Sequence, residues 1–435
     1  MPPNLDNTLA SILSSRSSQG RLRRLTIPCP EAVDFSSNGY LSLSSNAAVK
    51  SAYLSLIQPC LQSAGPESGF GLGSGGSRLL DGNSAFAEDL EGRIAGFHGA
   101  DAGLLFTSGF EANTGLFACV PQRGDVIVYD ELIHASVHDG MRLSRARRIP
   151  FAHNRVYDDP AASGGAGGKG ECQSLDSLLR SLSEGADGAD VRDGKKNVFV
   201  AVEAVYSMDG DVAPLKEMVQ CVERRLPQGN GHIIVDEAHS TGIFGRQGRG
   251  LVCQLGLQDR IWGRVHTFGK AMGCSGAIVL CSSTARSYLI NYARSFIYTT
   301  AMAFPSLASI RTTYDFLAQG RAEPLLRHLQ SLIRHAHSLL TGIVARRRPA
   351  PELFRINPET PRSPILPLLT DRARGLAQHC QERGFAVRPI VAPTVPAGRE
   401  RVRVCLHAGN TLEEVEGLCR AVEEWIVGTA RSSRL

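Results

Sequence analysis

Three polar segments of this chain place side chains capable of acid, base or nucleophilic chemistry next to apolar runs. Asp236 ends the run His-Ile-Ile-Val, and His239 follows three residues later. Lys270 comes directly after a glycine in the sequence Thr-Phe-Gly-Lys. The segment Ser-Gly-Phe-Glu-Ala-Asn at 108–113 lies between a predicted strand and a predicted helix. Together the segments offer a carboxylate, an imidazole, an amine and a glycine-containing turn.

This set of groups is what pyridoxal-phosphate chemistry requires. A lysine amine binds the cofactor as an imine and later acts as a base. A carboxylate keeps the pyridine nitrogen protonated, so that the ring accepts carbanion charge. A glycine turn at a helix N-terminus offers unpaired backbone N–H groups to a phosphate. We therefore expect Lys270 and Asp236 to hold pyridoxal phosphate, and we expect no metal site.

Each fragment has an ordinary structural explanation when it is taken alone. A lone lysine is most often a surface charge. Asp236 and Glu237, taken alone, are also explained as solvated acids at the end of a strand. His239, taken alone, is also explained as a structural histidine. The glycine-rich run at 69–77 is also explained as a flexible loop. The ordered combination of the fragments is what favours a cofactor site.

Apolar runs alternate with helical patterns from about residue 46 to about residue 290. The predicted strands are continuous Val, Ile and Leu runs, as strands buried on both faces require. They are 103–107, 125–129, 197–205, 232–236 and 277–281. A helix is predicted over 85–98, capped by Asn83 or Ser84 and ended by Gly99. This alternation predicts an α/β fold with a mostly parallel sheet, which binds ligands at the carboxyl ends of its strands.

The pattern predicts an N-terminal arm and two domains. They are the arm at 1–45, a large cofactor-binding domain at 46–290 and a smaller C-terminal α+β domain at 291–435. The small domain contains Pro-rich strands within 349–369 and 387–406 and a final helix over 412–427. Segments 158–170 and 183–196 are rich in Gly, Ala and Asp and are predicted to be surface insertions.

The composition, with 43% hydrophobic and 20% charged residues, is that of a globular protein. The net charge of +5 is small for 435 residues, and the basic residues are spread out, which argues against nucleic-acid binding. No apolar stretch is long enough to cross a bilayer, and the N-terminus lacks the apolar core of a secretory signal. The eleven cysteines include no Cys-x-x-Cys pair, which favours a reducing compartment over a disulfide framework.

The last three residues, Ser-Arg-Leu at 433–435, are close to the peroxisomal address Ser-Lys-Leu. We expect this tail to direct the chain to peroxisomes. Without a targeting role for the tail, the expected location is the cytoplasm.

The ordered motifs resemble the α-oxoamine synthases, fold-type-I pyridoxal-phosphate enzymes that condense an amino acid with an acyl-CoA and release carbon dioxide. The resemblance runs from about Asp34 to about His407, nearly the whole chain. The motifs are Gly-Leu-Gly-Ser-Gly-Gly-Ser-Arg-Leu-Leu at 71–80, Thr-Ser-Gly-Phe-Glu-Ala-Asn at 107–113, His-Ala-Ser at 134–136, Ser-Met-Asp-Gly at 207–210, Asp-Glu-Ala-His at 236–239, Thr-Phe-Gly-Lys at 267–270 and Pro-Thr-Val-Pro at 393–396. The resemblance implies an aspartate-aminotransferase-like fold with a smaller C-terminal α+β domain, pyridoxal phosphate as cofactor, and a homodimer with shared active sites.

The resemblance implies roles for the residues that surround the cofactor ring. Lys270 matches the lysine that binds the cofactor as a Schiff base, and Asp236 matches the partner of the pyridine nitrogen. His134 matches the histidine that stacks on the ring. His239 and Ser207 match groups beside the phenolic oxygen and the ring. The implied catalytic residues are Lys270, Asp236, His239 and His134.

The other matched residues contact the phosphate or the substrates. They are Gly109 and Phe110 through backbone N–H groups, Thr267 through its hydroxyl, Thr299 or Thr300 at the phosphate of the neighbouring subunit, and Arg23 and Thr394 at the substrates. The implied reaction starts when Lys270 removes the α-proton of the amino acid. The carbanion attacks the thioester, CoA and carbon dioxide leave, and His239 assists at the new carbonyl.

Two positions depart from the family pattern. Gly39 in Ser-Asn-Gly-Tyr-Leu-Ser replaces an aspartate that the family usually carries. Val391 replaces an arginine in the usual Ile-Arg-Pro-Pro-Thr-Val-Pro, and that arginine is expected to hold the carboxylate of the amino acid. Arg388 is a candidate replacement, although an offset of three residues along a strand points to the opposite face.

Alternatives to this interpretation remain at the level of the sequence. Another α-oxoamine synthase with a different acyl thioester or amino acid would carry the same motifs. A non-catalytic partner subunit is a further alternative, against which Lys270, Asp236 and His239 are all present. Four arginines are predicted on a solvated helix face, with contact to CoA phosphates as the alternative: Arg142, Arg145, Arg147 and Arg148.

Overall fold

The computed structural model describes residues 4–27, 29–62, 71–158, 172–185 and 188–432. Its strands are β1 (Val33–Asp34), β2 (Ala102–Phe106), β3 (Val126–Asp130), β4 (Arg147–Phe151), β5 (Val198–Glu203), β6 (Gly231–Asp236), β7 (Gly263–Thr267), β8 (Ala277–Cys281), β9 (Ile365–Leu369), β10 (Phe385–Ala386), β11 (Arg388–Ile390) and β12 (Arg401–Cys405). Its α-helices are α1 (Asn4–Ser18), α2 (Ala47–Gln62), α3 (Ala85–His98), α4 (Gly109–Cys119), α5 (Ala135–Leu143), α6 (Leu175–Glu184), α7 (Ala189–Arg192), α8 (Leu215–Arg225), α9 (Leu251–Leu255), α10 (Ser283–Tyr292), α11 (Arg294–Ile297), α12 (Phe304–Ala318), α13 (Glu323–Arg347), α14 (Ala373–Glu382) and α15 (Leu412–Ser432).

A seven-stranded sheet in the order β2-β8-β7-β6-β5-β3-β4 lies at the centre of the fold. Strands β4, β3, β5, β6 and β7 are parallel to one another. Strand β8 runs antiparallel to both of its neighbours, β7 and β2. The mostly parallel α/β sheet predicted from the sequence is therefore confirmed.

Strand β5 shows why the apolar runs of this sheet are continuous rather than alternating. All six of its residues are buried. Val198, Val200 and Val202 pack into one hydrophobic core, and Phe199 and Ala201 pack into a second core. Successive side chains of a strand point to opposite faces, so a sheet covered on both faces needs apolar residues at every position.

Strands β4 and β7 carry polar residues, and the apolar-run criterion does not predict them. Arg264 of β7 is buried and donates from Nη1 to the carbonyl oxygen of His98 at 3.0 Å. Arg147 and Arg148 are exposed residues of the edge strand β4, so the prediction that they lie on a helix face is wrong. Arg142 does lie on α5, where Nη1 pairs with Oδ1 of Asp139 at 2.6 Å.

Helix α3 confirms the predicted helix over 85–98 and its boundaries. The Ser84 hydroxyl caps it by accepting the N–H of Ala87 at 3.2 Å. Gly99 ends the helix in the left-handed conformation, with φ of 63°, which glycine adopts without steric cost. Leu90 and Ile94 are fully buried on its inner face.

The C-terminal part of the chain forms a second, antiparallel sheet in the order β11-β12-β9. The N-terminal arm attaches to this part, because β1 pairs in parallel with β10. Arg374 also donates to the carbonyl oxygen of Gly20 in the arm at 2.6 Å. Helix α1, which the sequence analysis does not predict, is exposed along its length. The domain boundaries at 45 and 290 stay predictions.

Some predicted segments lie outside the described residues. The Ser-Arg-Leu tail does, as do residues 159–170 of the first predicted insertion and Gly69 and Phe70 of the glycine-rich run. The second predicted insertion contains the short helix α7. Within the described ranges, no helix is both long enough and apolar enough to span a bilayer.

Candidate active site

Asp236 and Glu203 end neighbouring strands at the carboxyl edge of the large sheet. They are direct partners in the parallel register of β6 and β5, and both are buried. Asp236 Oδ2 accepts a hydrogen bond from Asn113 Nδ2 at 2.7 Å, and Oδ1 accepts from the N–H of Ala238 at 2.9 Å. These two donors fix the position of the Asp236 side chain, and both of its oxygens act as acceptors.

Glu203 is a buried acid to which the sequence analysis gives no role. Burial and the neighbouring Asp236 carboxylate raise the pKa of Glu203 well above its usual range. The protonated form of Glu203 is therefore favoured, because two adjacent buried carboxyl groups do not both ionise readily. The register of β5 and β6, which a single sequence does not reveal, is what creates this pair.

Lys270 lies in the connection between the antiparallel strands β7 and β8. Two backbone hydrogen bonds of 2.9 Å close this connection, from Phe268 N to Gly276 O and from Cys274 N to Phe268 O. Burial lowers the pKa of Lys270, whereas the Asp236 and Glu203 carboxyls raise it and the Arg403 guanidinium lowers it. An amine with a lowered pKa is a better nucleophile and base at neutral pH.

A glycine turn and a hydroxyl meet at the N-terminus of α4. The Ser108 hydroxyl caps the helix by accepting the N–H of Glu111 at 3.1 Å, which leaves the N–H groups of Gly109 and Phe110 without partners inside the helix. A methyl group on Gly109 would overlap the hydroxyl of Thr267. The structure thus brings Gly109, Phe110 and Thr267 together as predicted, in a form suited to an anion.

His134 caps helix α5 and joins the polar network around Asp236. Its Nδ1 lies 2.8 Å from Ser136 Oγ and accepts the N–H of Ser136 at 3.2 Å. Ser136 Oγ in turn accepts a hydrogen bond from Asn113 Nδ2 at 3.0 Å. Burial lowers the pKa of His134, which the Asp236 carboxylate opposes and the Lys270 charge assists. A neutral ring that accepts through Nδ1 satisfies these contacts.

His239 is buried, and the hydroxyl of Tyr40 fixes its ring. Its Nδ1 lies 2.8 Å from Tyr40 Oη. Burial lowers the pKa of His239 well below its usual range, and the charges of Lys270 and Arg403 lower it further. Tyr40 Oη also lies 3.1 Å from Asn38 Oδ1, so the segment in which Gly39 departs from the family pattern still contributes polar groups to the site.

Arg403 is a functional candidate that the sequence analysis misses. It lies on β12, it is buried, and its Nη2 donates to Asn38 Oδ1 at 2.7 Å and to Tyr40 Oη at 3.3 Å. It makes no ion pair within the described residues, and its Nε is buried without a hydrogen-bond partner there. A buried guanidinium without a carboxylate is costly, and a bound carboxylate would satisfy it.

Arg388 lies directly opposite Arg403 in the antiparallel register of β11 and β12. Its side chain is nevertheless exposed and donates from Nη2 to Thr26 Oγ1 of the N-terminal arm at 3.2 Å. Val391, at the position of the missing arginine, packs against the hydrophobic core. The buried cation of the site is therefore Arg403, and neither Arg388 nor residue 391 supplies it.

Ser207 and Thr394 line one cavity of about 590 Å³, which we call the inner cavity. Ile133, the residue before His134, lines the same cavity, which places it beside the cofactor residues. Thr394 is exposed at the cavity wall. The structure thus places these two predicted residues on one cavity, and the contacts of Ser207 with the cofactor and of Thr394 with a substrate stay predictions.

Thr299, Thr300 and Arg23 do not line the inner cavity. Thr299 and Thr300 line a small cavity with Thr107 and Arg78, and Thr300 forms an isolated bridge with Ser77 of the glycine-rich run. Arg23 is exposed in the arm and makes no hydrogen bond or ion pair within the described residues. Their predicted roles at the phosphate of a neighbouring subunit and at the substrate stay predictions.

The cluster fits pyridoxal phosphate. Asp236 offers a fixed carboxylate to a pyridine nitrogen, the N-terminus of α4 with Thr267 offers donors to a phosphate, and Lys270 offers a buried amine. The Asn113 Oδ1 atom is buried without a partner in the described residues, and Nδ2 of the same amide donates to Asp236, so an unused acceptor lies next to this carboxyl group. Lys270 Nζ also makes no hydrogen bond or ion pair there, as expected for an amine that binds a cofactor covalently.

The chain belongs to the class I and II aminotransferase family, whose model matches residues 30–422. It is 51% identical over 428 residues to the 8-amino-7-oxononanoate synthase of Emericella nidulans, covering 98% of this chain and 97% of that protein. It is 37% identical over 403 residues to the aminoacyl transferase sphA of Aspergillus fumigatus, covering 89% and 79%. The Sphingomonas wittichii serine palmitoyltransferase has the same fold, with a TM-score of 0.78 at 25% identity and 98% coverage of both chains.

These similarities confirm the fold-type-I assignment and the resemblance to the α-oxoamine synthases. The chain is a pyridoxal-phosphate-dependent transferase. The assignment of individual residues to cofactor or substrate contacts rests on the geometry described above.

Proposed function

We propose that this chain condenses L-alanine with pimeloyl-CoA to give 8-amino-7-oxononanoate, CoA and carbon dioxide, a step of biotin biosynthesis. The observation that carries the proposal is the 51% identity to the Emericella nidulans synthase across nearly the full length of both chains. The cluster of the half-buried Lys270 with the buried His239 and Arg403 supports it, because the reaction needs a base, a neutral donor and a carboxylate partner in one site.

Lys270 serves as the base of this reaction. Its Nζ takes the proton from the α-carbon of L-alanine, since burial and Arg403 favour the amine over the ammonium. When bound, pyridoxal phosphate supplies the electron sink that makes this proton acidic. Asp236 would pair with the protonated pyridine nitrogen of the bound cofactor and so maintain its capacity to accept electrons.

Arg403 and His239 orient the reacting groups. The guanidinium of Arg403 holds the carboxylate of L-alanine, so that the carbon–carboxylate bond is fixed before it breaks. The neutral ring of His239 donates a hydrogen bond to the acyl carbonyl oxygen, which gains negative charge as the α-carbon attacks the thioester. The thiolate of CoA then leaves, carbon dioxide follows, and one proton returns to the α-carbon.

A direct assay tests the proposed substrates. The purified holoenzyme is given L-alanine, glycine or L-serine together with pimeloyl-CoA or with short and long monocarboxylic acyl-CoAs. Release of CoA and the mass of the product are measured. We expect kcat/KM for L-alanine and pimeloyl-CoA to exceed that of every other pair by about tenfold or more. A higher value for another pair would contradict the proposal.

A different acyl thioester or amino acid is the second candidate, and two observations favour it. Val391 stands where an arginine is expected, and the aminoacyl transferase sphA of Aspergillus fumigatus is 37% identical to this chain. The same substrate panel separates the two candidates.

A non-catalytic partner subunit is disfavoured by the convergence of Lys270, Asp236 and His239. A purified protein that lacks cofactor absorbance after addition of pyridoxal phosphate would restore that alternative.

We also propose that the chain acts as a homodimer and that Thr299 or Thr300 completes the phosphate site of the neighbouring subunit. Two large exposed side chains support this. Tyr298, which precedes Thr299, is 72% exposed, and Leu72, in the glycine-rich run that pairs with Thr300 through Ser77, is 79% exposed. Sedimentation equilibrium tests the oligomeric state.

We further propose a peroxisomal location, supported by the Ser-Arg-Leu tail. Deleting residues 433–435 from a fluorescent fusion should then move the protein to the cytoplasm.

A further inference from the structure

A groove of about 680 Å³ carries three exposed arginine side chains, and we call it the arginine groove. They are Arg355 beside β9, Arg362 in the loop before β9, and Arg399 in the loop before β12. None of the three side chains makes a hydrogen bond or an ion pair within the described residues. Three cations that converge on one concave surface without partners repel one another, and a bound anion removes that cost.

The acidic residues of the groove do not neutralise these arginines. Asp209 is paired with the buried Arg401. Asp211 Oδ2 lies 2.7 Å from His153 Nε2, and the Asp130 and Asp211 carboxylates raise the pKa of His153 to about 10 although burial opposes them. A charged His153 is paired with these two carboxylates, so Asp211 is engaged with His153 and not with the three arginines. Glu359 is the remaining carboxylate of the lining, and it is exposed.

The arginine groove adjoins the inner cavity. Leu132, Asp209 and Arg399 line both spaces. The inner cavity is lined by Ser207 and Thr394 and by Ile133, which precedes His134 in the chain. A ligand that occupies both adjoining spaces would place one end near His134 and its far end among the arginines.

We propose that the arginine groove binds the anionic end of the acyl-CoA substrate. This inference rests on the proposed function, because it assumes an acyl-CoA that reacts beside Lys270. Two anions of this substrate have the required chemistry: the phosphates of CoA and the terminal carboxylate of a dicarboxylic acyl chain. Arginine is suited to both, since its planar guanidinium binds carboxylates and phosphates through paired hydrogen bonds.

The test uses the double variant Arg355→Gln/Arg362→Gln, which removes two charges that do not line the inner cavity. Arg123→Gln is the matched control. Arg123 is an exposed arginine without an ion pair in the described residues, and it precedes the N-terminal end of β3 in the large sheet. Binding of pimeloyl-CoA, of CoA and of octanoyl-CoA to each holoenzyme is measured by calorimetry without L-alanine. Thermal melting verifies that the variants are folded.

We expect the double variant to bind pimeloyl-CoA at least about tenfold more weakly than the wild type and the control do. An equal loss for CoA and octanoyl-CoA would assign the groove to the phosphates. A loss confined to pimeloyl-CoA would assign it to the terminal carboxylate. Unchanged binding of all three ligands would overturn the proposal.

Turnover separates this inference from the proposed function. We expect the double variant to raise KM for pimeloyl-CoA about tenfold while kcat and KM for L-alanine change less than about twofold. A wild-type enzyme that does not convert L-alanine and pimeloyl-CoA would contradict the proposed function. The calorimetric comparison would still decide whether the groove binds these anions.

Discussion

Glu203 and Asp236 are direct register partners at the ends of β5 and β6, so two buried carboxyl groups meet at the floor of the site. Only Asp236 has hydrogen-bond donors from Asn113 and Ala238. Glu203 instead has a raised pKa, caused by burial and by Asp236. The pair thus combines a carboxylate with a protonated acid, and the two members should respond differently to amide substitution.

The first prediction compares Asp236→Asn with Glu203→Gln. An amide at 236 does not keep the pyridine nitrogen protonated, so we expect kcat to fall by at least about 100-fold. An amide at 203 resembles the protonated acid already present, so we expect a change of less than about fivefold. Steady-state kinetics on cofactor-saturated protein measure both values. Equal losses in the two variants would contradict the assigned protonation states.

The second prediction concerns Lys270→Ala. The amine serves the chemistry and not the core, so we expect turnover to disappear while the melting temperature of the folded protein stays near that of the wild type. Lys216→Ala on α8 removes an exposed lysine and is the matched control. Retained turnover in Lys270→Ala would exclude Lys270 as the base.

The third prediction separates two arginines that face each other across β11 and β12. Arg403→Gln removes the buried guanidinium, and we expect KM for L-alanine to rise about 100-fold, as when a charged pair loses one partner. Arg388→Gln removes an exposed side chain that contacts Thr26, and we expect less than about a threefold change. A larger effect at 388 would move the carboxylate site to Arg388.

The fourth prediction concerns Tyr40, which positions His239. Tyr40→Phe removes the hydroxyl that lies 2.8 Å from His239 Nδ1, and we expect kcat to fall about tenfold with KM for L-alanine within about threefold. Burial raises the pKa of Tyr40 well above its usual range, so its hydroxyl stays protonated and the loss should be equal at pH 7 and pH 9. A loss confined to high pH would contradict this role.

The fifth prediction concerns the pH dependence of stability. The two neighbouring carboxylates raise the pKa of His153 from 6.5 to about 10, against the effect of burial. Its stabilisation is therefore complete below pH 6.5 and is lost as the pH rises through about 10. We expect His153→Gln to lower the melting temperature by several degrees at pH 6, by less at pH 8 and hardly at all above pH 10. A difference that does not change with pH would contradict the charged form of His153.

The sequence predicts the parts of this site that lie at strand ends. Lys270, Asp236, His239, Gly109 and Thr267 belong to short motifs that adjoin apolar runs, and a parallel sheet brings such ends together. Strands β4 and β7 are not predicted, because their polar residues are satisfied by tertiary contacts such as that of Arg264 with His98.

Arg403 is not predicted, because its importance depends on pairing between distant strands. The segment Arg-Val-Arg-Val-Cys at 401–405 alternates like an exposed strand, yet β12 is the central, buried strand of its sheet. The partners of Arg403, Asn38 and Tyr40, come from the N-terminal arm more than 360 residues earlier. Local sequence patterns contain no information on such contacts.

The closed connection between β7 and β8 has a practical consequence for protein engineering. Backbone hydrogen bonds fix the Lys270 turn between adjacent strands, so insertions there would displace the amine, whereas the arginine groove is built from loops of the C-terminal sheet. Chimaeras that exchange the loops around Arg362 and Arg399 for those of relatives therefore offer a way to alter the choice of acyl donor while the reactive amine keeps its position.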